Sequence, residues 1–95
     1  MTEVNKNFYN NLNRLLEETS QWPNEYLFKF IIKSDETKIK IIESIFDNIG
    51  AIIKKKHSSN NNYTSISVNV KMDSPKDVIE KYKEVSKNVE DVILL

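Results

Sequence analysis

The 95-residue chain has no cysteine, one glycine, one alanine and one arginine. Without cysteine there is no disulfide framework, no thiolate nucleophile, and no zinc or iron–sulfur site built on thiolates. A single glycine, Gly50, leaves no glycine-rich loop of the kind that cradles phosphate. No purely apolar run exceeds four residues, far from the roughly 20 needed to span a bilayer. An excess of charge of one sign is also missing: 14 Lys+Arg balance 14 Asp+Glu, so the chain as a whole is no polyanion magnet. At 39% hydrophobic and 29% charged residues, it has the composition of a soluble globular protein of one domain. Nothing of signal-peptide length follows Met1–Lys6, which sets the expectation of a cytoplasmic protein with no membrane partner.

What is abundant is lysine (13), isoleucine (12) and asparagine (12). Such a skew reports codon bias before it reports function, so lysine and asparagine abundance alone carries no argument. Their positions do.

Residues 5–19 place Phe8, Leu12, Leu15, Leu16 and Thr19 on one stripe of an amphipathic helix, which Trp22-Pro23 then ends. Glu25–Lys33 is aromatic and β-branched, with Tyr26, Phe28, Phe30 and Ile32 on one face and Leu27, Lys29, Ile31 and Lys33 on the other, as in a central strand. Ser34-Asp35-Glu36-Thr37 supplies a cap and acidic first turn for a helix whose apolar stripe is Ile39, Ile42, Ile45, Phe46 and Ile49, flanked by Ile41 and stopped by Gly50. Ala51–Lys56 is a short strand that turns basic, and His57–Asn62 is a turn, with asparagine standing in for glycine. Tyr63–Met72 alternates, with Ile66, Val68, Val70 and Met72 inward against Tyr63, Ser65, Ser67, Asn69 and Lys71 outward. Ser74-Pro75-Lys76-Asp77 opens a helix with the stripe Val78, Ile79, Tyr82, Val85 and Val89, and Asp91–Leu95 reads as a last short strand.

The order α, then β-α-β-β-α-β, is that of an α+β ferredoxin-like sandwich with an extra N-terminal helix. It divides as a helical segment over 1–21 and the βαββαβ domain over 22–95. Two helices would cover one face of a four-stranded antiparallel sheet ordered 4-1-3-2. The strand from Ala51 is then an edge, where Lys54-Lys55-Lys56 guards against edge-to-edge aggregation.

Trp22-Pro23-x-x-Tyr26-x-Phe28-Lys29-Phe30 resembles the aromatic-Pro-x-x-Phe-x-Tyr-Lys-Val entry of the YbeD-like bacterial family of small proteins of unknown function. Ser58-Ser59-Asn60-Asn61-Asn62-Tyr63-Thr64-Ser65-Ile66-Ser67-Val68 is similar to that family's Ser-Ser-x-Gly-x-Tyr-x-Ser-Val-[Ser/Thr] hairpin. The resemblance covers about residues 11–95. Asn61 stands where the family has a hairpin glycine, and Ile32-Lys33-Ser34 where it often has another. The resemblance implies a ferredoxin-like fold akin to ACT regulatory domains and no established activity.

An enzyme is not expected, and neither is a cofactor or metal. Acylphosphatases share the size and topology but need an arginine after the first strand, where this chain has Ser34-Asp35-Glu36-Thr37; its one arginine, Arg14, lies in the N-terminal helix. His57, the sole histidine, reads as a solvated turn residue, and helix capping accounts for Asp73 and Asp77. The expectation is a regulatory or interaction module that meets a protein partner, or a second copy, through the open sheet face. Tyr63, Ser65, Ser67, Lys71 and Lys29 are its contact residues, with Ser58, Ser59 and Asn61 as hairpin determinants. The alternatives are RNA binding through the lysine-flanked face, by Lys29, Lys33, Lys54, Lys56 and Lys71, and small-ligand sensing at an ACT-like dimer interface.

Overall fold

The computed structural model describes residues 6–94. Three helices, α1 (Lys6–Thr19), α2 (Glu36–Ile45) and α3 (Pro75–Asn88), accompany four strands, β1 (Asn24–Lys33), β2 (Ile52–His57), β3 (Tyr63–Met72) and β4 (Ile93–Leu94). The strands form one antiparallel sheet in the order β2-β3-β1-β4, the ferredoxin-like arrangement with an added helix in front. The expected parts of the first helix and last strand at Asn5 and Leu95 lie outside the described residues, as does the Met1–Asn5 start of the chain.

Alternation in β1 and β3 builds the core. Every second residue of a strand points to the same face, and Phe28, Phe30, Ile32, Ile66, Val68 and Val70 are all almost completely buried beneath the helices. Phe28 sits at the centre, its ring 4.8 Å from Tyr26, 4.9 Å from Phe46 and 5.1 Å from Tyr82, so that β1, the residue capping the end of α2 and α3 meet on one side chain. Ile39, Ile42 and Ile45 of α2, and Val78, Tyr82 and Val85 of α3, close over the same face.

The helix ends are chemically finished. Asp35 caps α2 by accepting hydrogen bonds from the Thr37 and Lys38 amides at 2.8 and 3.3 Å. Ser74 caps α3 by accepting from the Asp77 amide at 3.2 Å, with Pro75 in the first turn, where its missing N–H costs nothing. Lys81 reaches from α3 to donate to the Ile45 carbonyl at 2.8 Å, satisfying the C-terminal end of α2 from outside.

Three expectations are corrected. In α1 the buried edge is Tyr9, Leu12 and Leu16, whereas Leu15 is 54% exposed and Thr19 is exposed. The helix leans on α3 along one narrow line, with Phe8 and Tyr9 reaching Tyr82 and Lys83, so a wide apolar stripe is not all used. α2 stops at Ile45, and Ile49 is 41% exposed rather than part of the stripe. The chain turns first at Asn48 (φ 66°) and then at Gly50 (φ 77°), both left-handed. Finally, β2 begins at Ile52 and extends through His57, so the histidine closes a strand instead of lying in the turn.

α1 stands beside α3 on the helix side of the sheet, its Leu16 in the same core cluster. Trp22 fixes the exit of α1, its indole N–H donating to the Leu16 carbonyl at 3.1 Å. Tyr26 and Tyr82 share a hydrogen bond between hydroxyls at 2.9 Å under this corner. Burial first, then the hydrogen bond and charge of Tyr26, push the Tyr82 phenol well above its ordinary value near 10.

Two outcomes test this packing. Phe28→Ala should cost about 3–5 kcal/mol, while Leu27→Ser, one residue away on the opposite face, should stay within about 0.5 kcal/mol. Equal losses in urea titrations would refute the facing of β1. Because Tyr82 loses its proton more readily unfolded than folded, its contribution is complete below pH ~10 and declines as pH rises further. Stability measured from pH 9 to 11 should therefore fall less steeply in Tyr82→Phe than in the wild type, and parallel profiles would count against the buried phenol.

Candidate functional site

One face of the sheet is given over to the helices; the other has no helix over it among the described residues. Strand register determines what it displays. Leu27 of β1 and Ile52 of β2 flank Asn69 of β3. In the next row Lys29 and Lys54 flank Ser67. In the third, Ile31 and Lys56 flank Ser65, with Ile93 of β4 beside Ile31. Tyr63 stands opposite Lys33 at one end and Lys71 opposite Glu25 at the other.

The expected contact residues Tyr63, Ser65, Ser67, Lys71 and Lys29 thus share one face, though not one cluster. Ser65, Ser67 and Lys29 are central, whereas Tyr63 and Lys71 sit at opposite ends of β3. The lysines of β2 divide by the same alternation. Lys54 and Lys56 join the open face; Lys55 turns to the helix side and pairs with Glu43 of α2 at 3.0 Å. That pair is largely solvated and adds little stability. Three apolar members of the open face are half or more exposed, Leu27 52%, Ile93 50% and Ile52 64%, while Ile31, between Ser65 and Ile93, is half-buried. Ile52 and Ile93 are the residues that sequence reasoning left out, because each belongs to a strand whose facing depends on its pairing partner and not on its own short pattern.

The hairpin that presents Tyr63 is held by side chains. Ser58 Oγ accepts from the Tyr63 amide at 3.0 Å and donates to Asn60 Oδ1 at 2.9 Å, while the Ser58 amide donates to the Tyr63 carbonyl at 2.8 Å. Asn60 Oδ1 also accepts from the Asn62 amide at 3.1 Å, a role not anticipated for this residue. Asn61 takes the left-handed position at φ 60°, and Ser59 is exposed at the tip.

Below the hairpin the fully buried Thr64 links Ser34 and His57. Its Oγ1 lies 2.8 Å from Ser34 Oγ and 2.9 Å from His57 Nδ1. One hydroxyl hydrogen and two lone pairs suffice for both partners. The network ties the end of β1 to both strands of the hairpin, and it commits the only histidine to a structural hydrogen bond.

A shallow hollow of about 530 Å³ lies between the end of α2, the following turn and β2, lined by Glu43, Asp47, Gly50 and Ile53 among others. It collects none of the expected contact residues.

Comparison with known proteins places the chain in a family. Residues 17–95 match the model of DUF493, described as a protein of unknown function, and the chain belongs to this family, to which the YbeD-like proteins also belong. The matched stretch contains the whole sheet, α2 and α3, and leaves most of α1 outside. No curated protein and no solved structure matches the chain.

The left-handed turn gives a test of how Tyr63 is presented. Asn61→Gly should change stability by no more than a few tenths of a kcal/mol, whereas Asn61→Val should cost about 1–2 kcal/mol through its Cβ branch. Thermal melts of the two variants decide; an unaffected valine variant would mean that the turn relaxes away from this geometry.

Proposed function

We propose that this member of the DUF493 family is a non-catalytic, cytoplasmic interaction module, regulatory or adaptor in role, that docks a protein partner on the open face of its sheet. The observation that carries the reading is the pairing of exposed apolar side chains with lysines in adjacent rows: Leu27 and Ile52 beside Lys29 and Lys54. Aliphatic side chains half or more exposed on the two strands that flank β3, in one row across Asn69, offer apolar surface that a partner can cover. The non-catalytic part is supported by where the reactive groups are occupied: His57 on Thr64, Asp35 on the α2 amides, and Asp77 in the first turn of α3.

The lysines also suit a nucleic-acid backbone, which keeps RNA binding as the second reading. Against it, RNA modules of this architecture stack bases on aromatics in the middle of the open face. Here Tyr26, Phe28 and Phe30 of β1 are turned to the helices, and Tyr63 stands at the edge of the field.

Affinity capture from lysate of the source organism tests the proposal with three baits: wild type, Leu27→Ser/Tyr63→Ala on the open face, and Lys40→Glu/Lys76→Glu on the helix side. A protein retained by the wild type and the helix-side variant and lost by the open-face variant is the expected result. Retention by the open-face variant, with loss from the helix-side one, would move the interaction to the other surface. Recovery of RNA in place of protein would favour the second reading.

A further inference from the structure

We propose that the occupant of the open face is an acidic amphipathic helix of a partner protein. The proposal rests on the reading of that face as the interaction surface and adds the chemistry of what it receives.

Charge is the first ground. The chain is neutral overall, yet among the described residues its open face carries Lys29, Lys33, Lys54, Lys56 and Lys71 against the one carboxylate of Glu25. The compensating acids lie elsewhere, on the helices and turns, as in Glu36, Glu43, Asp77, Glu80 and Glu84. A neutral molecule with one cationic face presents a local positive field to an incoming surface, and complementary potential selects an acidic one.

Shape is the second. The middle strand of this face, β3, carries the small side chains Ser65 and Ser67, between longer ones on β1 and β2. Adjacent strands lie about 4.8 Å apart, so the long side chains on the two flanking strands stand roughly 10 Å apart across β3. That spacing matches a helix of about 10–12 Å diameter laid along β3. Along the strand, Leu27 and Ile31 are about 13 Å apart, with the Lys29–Lys54 row midway. A helix rising 1.5 Å per residue meets this order with apolar residues eight positions apart and a carboxylate between them at the fourth.

The same features disfavour other occupants. A two-fold dimer through this face would set the lysine rows against themselves, since such an interface presents one patch to its own copy. Like charges so opposed are repulsive. A single-stranded nucleic acid would find serines and aliphatic residues where it needs stacking platforms, and the only arginine, Arg14, is on α1.

The test uses the full chain and a fluorescein-labelled, end-capped Ala/Gln helix of about 18 residues, bearing leucine at i and i+8 and glutamate at i+1, i+4 and i+5. Anisotropy measures binding, and amide shifts in NMR locate it. The expected result is shifts confined to β1–β3 positions of the open face. Affinity should fall about ten-fold in Lys29→Glu/Lys54→Glu and again when the peptide's glutamates become glutamines, weakening with salt. It should be unchanged in Lys40→Glu/Lys76→Glu. Melting temperatures of the variants check that all are folded. Equal binding of the glutamine peptide to the same residues would overturn the acidic occupant and leave the open-face reading standing. Binding located on the helices would overturn both. No binding of either peptide up to millimolar concentration would overturn the amphipathic helix, and the capture experiment then decides the surface separately. A uridine 20-mer binding more tightly than the peptide, or a dimer in sedimentation that Leu27→Ser dissolves, would replace the proposed occupant with nucleic acid or a second copy.

Discussion

The structure depends on the facing of β1. The strand is interior in the sheet, paired with β3 on one side and β4 on the other, and both its faces carry large side chains. Because the side-chain period is two, a slip of one residue would exchange the faces completely. Phe28 and Phe30, which hold α2 and α3, would then point to solvent, and Lys29 and Lys33 would enter an apolar core. The cost of burying unpaired ammonium groups makes that exchange prohibitive. The same choice that seats the aromatic cluster under the helices therefore places Leu27, Lys29, Ile31 and Lys33 on the open face. Core and candidate site are two consequences of one register.

A chain with a single glycine must find other residues for left-handed backbone, and among the described residues it uses three. Asn48, Asn61 and Asp91 have φ of 66°, 60° and 58°, beside Gly50 at 77°. Asparagine and aspartate tolerate this region because their short polar side chains bond locally. Each site is a junction: after α2, at the hairpin tip, and before β4. Asparagine abundance, set aside as codon bias when the sequence was read, is put to structural use at two of them.

The sequence was most legible where pattern and burial coincide. Tyr63–Met72 alternates without a break, because β3 is fully paired and one of its faces is wholly covered, so its outward set was readable directly. The caps at Asp35 and Ser74 were readable because their chemistry is local. Legibility failed where the outcome depends on how much of an apolar stripe a neighbour covers. Leu15 and Leu16 are adjacent on the edge of one helical stripe, but only Leu16 reaches the core, since α1 meets the domain along a narrow line. Ile49 continues the period of α2 and is still exposed, because the chain reverses at Asn48 to reach β2. The run Lys54-Lys55-Lys56 carries no internal sign of which lysine faces which way; its pairing with Ser67, Ile66 and Ser65 supplies it.

Those lysines also separate two explanations of the open face. Charges on an edge strand prevent unwanted pairing, and that is sufficient reason for Lys54 and Lys56 on β2. It gives no direct reason for Lys29, next to the Phe30–Ile31 stretch of β1 that lies between β3 and β4, whereas Lys33 lies beyond that stretch and shares the protection. Nor does it give one for Ile52, an isoleucine 64% exposed on the edge strand itself, or for Leu27 across the row from it. Edge protection would favour charge at Ile52 and be indifferent at Lys29; the chain has the reverse. Solubility alone accounts for the lysines but not for aliphatic side chains interleaved with them. A surface that must attract an acidic partner and then bury part of it requires both kinds of residue together. The register of β1, β2 and β3 puts them in adjacent rows.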